Sequence, residues 1–154
     1  MSVQPIGNRL DNTKLVSSIE QALNIEKLQN TLMSYPEQIR ARQQQLQSAK
    51  ENLEAMKAEV LFEEQMILAE ITEAQNPATG KPMYSNDTAR KAELARRLNE
   101  SREYQKRVHQ QKEYERAVNS CQFDLDLLNN QFAATSTVAR LTATRLGLIA
   151  SLGA

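Results

Sequence analysis

The chain has 154 residues, 25% charged and 5% aromatic, with 19 basic and 19 acidic side chains and a net charge of zero. It holds four Gly, four Pro and no Trp, and neither Gly nor Pro falls between Pro36 and Pro77 or between Pro82 and Gly147. Spans this long without punctuation argue against a many-stranded fold and a Gly-rich nucleotide loop, and they match the composition of long helices.

Cys121 is the only cysteine, so no intrachain disulfide can form, which fits a reducing compartment. The start lacks a basic-then-apolar signal pattern, and no apolar run approaches the ~20 residues that cross a bilayer. These features predict a cytoplasmic protein with no membrane partner.

The first predicted element is a helix over residues 13–34, starting near Asn12 or Thr13 and carrying Leu15, Ile19, Leu23 and Leu28. Pro36 biases Tyr35 away from helical geometry, so a break or kink is expected near 35. A first arm then runs over 37–73, about 55 Å at ~1.5 Å per residue. Its apolar seam repeats every seven residues, from Ile25 through Leu32, Ile39, Leu46, Leu53 and Val60 to Ile67, with Leu28, Tyr35, Ala49 and Met56 three positions later. This is the a/d pattern of a coiled coil, and it keeps phase across Pro36.

Residues 74–87 gather Pro77, Gly80 and Pro82 into one loop, at whose end Asn86 or Asp87 can cap the next helix. A second arm is predicted over 88–134, sparse in apolar residues at first and richer through Val118, Cys121, Leu125, Leu128 and Phe132. A C-terminal helix over 135–150 carries Val138, Leu141 and Leu148, weakened at Gly147. The expected fold is one all-α domain: a long antiparallel helical hairpin with an additional N-terminal helix and an apolar C-terminal helix. Two helices bury little, so oligomerisation or docking of the end helices on the hairpin is expected.

Catalytic chemistry finds little support. His109 is the only histidine and sits among polar residues. One His and one Cys cannot build the usual zinc site, and no cofactor is implied. Glu63 and Glu64 project about 100° apart on a helix, which is not an acid/base pair. Thr79-Gly80-Lys81 lacks the earlier Gly of a phosphate loop. Cys121 falls on the apolar seam as a packed thiol. The chain reads as non-enzymatic.

Zero net charge conceals a division. Residues 51–73 carry seven acids and one base, net −6, whereas residues 88–116 carry nine bases and five acids, net +4. In an antiparallel hairpin the two stretches lie side by side. One reading is that they pair and set the register. The other is a phosphate-binding face made by Arg90, Lys91, Arg97, Arg102, Lys106 and Arg107, with Tyr104 placed to stack on a base.

The second half also has a characteristic order. A Gly/Lys loop leads into Tyr84-Ser85-Asn86 and Ala89-Arg90-Lys91-Ala92-Glu93-Leu94. A polar helix follows, then Leu125, Leu128 and Phe132, then Ala134 through Leu141. Over roughly residues 40–142 this resembles phage recombination mediators of the UvsY type. The resemblance implies a homo-oligomer, a ring formed through the C-terminal helices, that binds single-stranded DNA and helps load a RecA-like recombinase onto DNA covered by single-strand-binding protein. It implies an oligomer surface at Leu125, Leu128, Phe132, Val138 and Leu141. The family also carries basic residues before the loop, where this chain has the acidic Glu59–Glu73 stretch. By position its DNA face is therefore left with Lys81, Arg90, Lys91, Arg96 and Arg97. The alternative function is a helical protein–protein interaction module, such as a scaffold, adaptor or inhibitor, that binds no nucleic acid.

Overall fold

The computed structural model describes residues 12–152. The order is α1 (Asn12–Ala22), α2 (Ile25–Glu73), α3 (Asp87–Glu100) and α4 (Arg102–Leu152). The all-α expectation holds, and the two long helices pack against each other. The element boundaries differ from the expectation in four places.

The predicted helix over 13–34 is divided at Leu23–Asn24, and α2 then runs unbroken through Pro36. Asn24 takes a left-handed conformation, φ 49°. Asn tolerates this better than other non-Gly residues, because its short polar side chain can bond locally. The Asn24 N–H donates to the Gln21 carbonyl at 3.2 Å, and its own carbonyl accepts from the Leu28 N–H at 3.0 Å, so one residue ends α1 and starts α2. At Pro36 the missing N–H costs one backbone bond. The neighbouring Tyr35 is held in place: its ring lies edge-on to Phe132 at 5.7 Å, and its hydroxyl is 3.3 Å from Thr135 Oγ1.

The predicted second arm over 88–134 breaks at Ser101, and the boundary expected at 135 is absent because α4 continues through it and through Gly147. Ser101 is extended, φ −73° and ψ 107°. Its N–H donates to the Arg97 carbonyl at 2.9 Å, while its Oγ accepts from the Tyr104 N–H at 3.2 Å. It therefore caps one helix at its end and the next at its start. The helix continues through the Thr-rich run after 134, where hydroxyls bond back to carbonyls four residues earlier. Thr135 reaches Gln131, Thr137 reaches Ala133 and Thr144 reaches Arg140, at 2.8–3.0 Å.

The chain divides into two compact parts. One spans 42–124 and contains the turn. Its core is the expected seam, with Leu46, Leu53, Met56 and Val60 buried, closed near the turn by Ile71. Its cross-helix pairs run antiparallel: Arg97 with Glu70, Arg107 with Glu63, Arg42 with Asp124. The other comprises the described residues of 1–41 and 125–154. There Leu125 is buried, and Leu128, Thr135, Ala139, Thr142 and Leu146 are half-buried along α4.

The loop is tightened by an isolated antiparallel bridge between Gln75 and Pro82, which encloses residues 76–81. The Asn76 carbonyl accepts from Thr79 and Gly80, and its side chain accepts from Ala78. Gly80 takes φ 65°, which leaves its absent Cβ without penalty. The N–H groups of Ala78, Thr79, Gly80 and Lys81 all donate within the loop, so none of these four amides serves as a phosphate cradle here.

Candidate functional site

The basic stretch after the loop separates into bound and unbound cations. Asn86 caps α3 by accepting the Ala89 N–H at 2.8 Å, as its position suggested. Arg90 then reaches back to the Tyr84 carbonyl at 3.3 Å and to Asp87 at 3.4 Å, tying the loop to the helix. One turn on, Glu93 holds two arginines. Arg96 grips both its oxygens at 2.8 and 2.9 Å and also reaches Glu100 at 2.7 Å. Arg97 donates to Glu93 at 2.9 Å and crosses to Glu70 on α2 at 3.3 Å.

On α4, Arg107 pairs with Glu63 at 2.9 Å, and the Tyr104 hydroxyl donates to Glu64. Of the nine sequence-predicted nucleic-acid residues, Arg90, Arg96, Arg97, Tyr104 and Arg107 thus already serve partners in the chain. Lys81, Lys91, Arg102 and Lys106 are exposed, and their side chains make no ion pair or hydrogen bond among the described residues. The cross-hairpin pairs use Glu63, Glu64 and Glu70, so the two charged stretches neutralise each other only in part. Partly exposed pairs of this kind contribute about 0.2–1 kcal/mol each, enough to set register more than stability.

The electrostatics follow from these contacts. Hydrogen bonds from Arg96 and then Arg97 lower the Glu93 carboxyl from 4.5 to about 2, with Tyr84 contributing less. Both guanidinium groups are held more firmly protonated in return. Burial first, and then the bond to Glu64, pushes the Tyr104 phenol up to about 12. Because Glu93 is depressed in the fold, its stabilisation is complete above the unfolded value. It is lost as pH falls from about 4.5 toward 2. A carboxyl-detected NMR titration should find Glu93 still ionised at pH 3, and Glu93→Gln should flatten the acid limb of the stability profile. A midpoint near the ordinary 4.5 would refute the two-arginine clamp. Sequence reasoning passed over this role of Glu93, although its spacing of three and four to Arg96 and Arg97 is a readable helix signal.

The predicted oligomer residues also divide. Leu125 is buried and Leu128 half-buried within the chain. Phe132 is partly covered by Tyr35. Val138 and Leu141 are 52% and 58% exposed, and Leu148 is 60% exposed. At 3.6 residues per turn Leu141 and Leu148 project within about 20° of each other, roughly opposite the side that holds Leu125, Leu128 and Leu146, with Val138 about 60–80° to one side of them. Helix α4 therefore carries two apolar faces, of which only one is used within the described chain.

His109 is exposed, 3.9 Å from Glu113, and Cys121 is half-buried without a partner acid or base. No group of three His, Cys, Asp or Glu gathers as a metal site among the described residues, and no described helix is long and apolar enough to cross a membrane. The fold and its surfaces define an all-α hairpin protein with a salt-bridged turn end and unused apolar helix faces. No protein-family model, curated protein or solved structure was found to match the chain.

Proposed function

We propose that this chain is a non-enzymatic helical interaction protein of the cytoplasm that self-assembles, and docks on other proteins, through the outer apolar strip of α4. The observation that carries this reading is the more than half exposure of Val138, Leu141 and Leu148 on one side of one helix. Isolated apolar side chains on a surface need no explanation, but an ordered strip does. Sedimentation of the wild-type chain at micromolar concentration tests it, and species larger than one chain are expected. A chain that stays monomeric and retains no protein partner in a nuclease-treated pull-down would remove the reading.

The second reading is the recombination accessory protein that the UvsY-type resemblance implies, binding single-stranded DNA and assisting a RecA-like recombinase. It is favoured by Lys91, Arg102 and Lys106, which are exposed and make no ion pair or hydrogen bond among the described residues. Three phosphate contacts per protomer give a slope of about −2 in log affinity against log salt, since each contact on a single strand contributes roughly −0.7. Titrating a labelled oligonucleotide should show binding at low salt that falls away by this slope, and replacing the three residues by Glu should abolish it. Absence of binding at low salt excludes this role.

A further inference from the structure

The outer strip of α4 has an internal order. Gln131, Ala134, Val138, Leu141, Arg145 and Leu148 are all exposed. They follow one another at steps of three, four, three, four and three residues. At 100° per residue these six fall within an arc of about 100°. The steps read the same in both directions, so two such strips laid antiparallel stay in phase. About a two-fold axis midway between Val138 and Leu141, Val138 comes level with Leu141 of the second copy, Ala134 with Arg145, and Gln131 with Leu148.

Charge decides the direction. From Leu127 to Leu152 the only charged residues are Arg140 and Arg145, with no acid. Both are exposed, and neither makes an ion pair among the described residues. Arg140 projects well to one side of the strip, whereas Arg145 lies within it. In a parallel pair each Arg145 would meet its own copy inside an apolar seam, like charge against like charge. In the antiparallel pair the two are eleven residue steps apart, about 16 Å along the axis. That is roughly twice the screening length at physiological salt. Each Arg145 then faces Ala134, the smallest side chain of the six. Its stem has room to lie over the alanine and carry the guanidinium to the edge of the seam.

We infer that the outer strip of α4 pairs with the same strip of a second copy, antiparallel, with Val138 and Leu141 at the centre and Arg145 against Ala134 on either side. This rests on the self-assembly proposed above and names the surface that is met, its direction and its register. Arg145 sets the direction, as a lone polar residue does in the seam of a coiled coil, at some cost in affinity. The contact is isologous, so it closes at two chains and does not continue as a ring or a filament. The paired stretch from Gln131 to Leu148 is about 26 Å long. A seam of this length lies at the low end of specific interfaces, near or below about 1,200 Å², so association in the micromolar range is expected.

Disulfide trapping in the full chain tests the direction and register, with Cys121→Ser as the background and far-UV circular dichroism as the check on folding. Ala134 and Arg145 are exposed, so helical content should not change on substitution. A mixture of Ala134→Cys chains with Arg145→Cys chains, under mild oxidant, should give a dimer linked from 134 to 145. Ala134→Cys alone, which keeps Arg145, should give none. A dimer linked from 134 to 134 in that variant means a parallel pair and overturns the inference. Absence of any linked dimer while the wild type associates overturns this contact and leaves self-assembly standing. Sedimentation of Arg145→Leu is the second measurement. Association should tighten about tenfold, because a charge no longer has to be accommodated in the seam. Weakening would mean that Arg145 meets an acid, which overturns the pairing of the strip with its own copy. A wild type that never associates overturns this contact and the self-assembly on which it rests, while a retained protein partner would still support the broader reading.

Discussion

Ile71→Ala is expected to lower the unfolding free energy by about 2–4 kcal/mol, the largest loss from any single truncation of the described residues. Ile71 is 1% exposed, whereas the other buried side chains of the core stand at 7–8%. It lies in the last turn of α2, where helix and loop meet. Removing three carbons there leaves a cavity that the tight turn, with its bridge between Gln75 and Pro82, cannot easily collapse. The seam residues further along α2 have solvent closer at hand and more freedom to adjust. Urea unfolding should show the midpoint falling with the slope unchanged. Leu61→Ala, on the exposed side of the same helix, should change stability by no more than about 0.5 kcal/mol. A loss below about 1 kcal/mol at Ile71 would mean that the turn end is loosely packed.

The second large effect is expected from Val138→Asp combined with Leu141→Asp. Both side chains are more than half exposed, so the folded chain should keep its helical content and thermal midpoint. Association should fall by about two orders of magnitude, since each carboxylate would have to be desolvated against an apolar surface. Sedimentation and circular dichroism on one preparation separate the two effects. Leu125→Asp is the contrasting variant, because it places a charge in the buried row and should unfold the pairing it belongs to. Leu128→Asp with Phe132→Asp would confound the measurement, because Leu128 is half-buried and Phe132 meets Tyr35. A double Val138/Leu141 variant that associates like wild type would exclude the α4 strip as the assembly surface.

The helices and the seam were legible because they depend on local spacing. Leu46, Leu53, Met56 and Val60 were placed on the inner side of α2 by seven-residue periodicity, and the structure buries all four. The cap at Asn86 and the turn around Gly80 were legible for the same reason, since one residue's chemistry decides each. The end points were less so. Asn24 and Ser101 each divide a stretch that carries no Pro or Gly, and each works through two backbone bonds that connect one helix to the next. Pro36 misled in the opposite direction. Its local preference is for a break, but the edge-on contact of Tyr35 with Phe132, far away in sequence, accompanies an unbroken helix.

The nucleic-acid and assembly residues were legible as types and not as states. Composition distinguished an acidic stretch from a basic one, but a guanidinium is free or occupied according to what lies within 3–4 Å. Arg96 and Arg97 proved to be held by Glu93, whereas Lys91 and Lys106 were left exposed. Likewise, the apolar residues after 134 identified a strip and not the direction in which it faces.

The sequence by itself determined that the chain is helical, that it turns once around Pro77–Pro82, and that one seam holds the first arm, because backbone propensity and side-chain period act over a few residues. Only the tertiary structure decided which charges are neutralised at home and which side of α4 faces outward, because pairing and burial depend on residues that come together from distant parts of the chain.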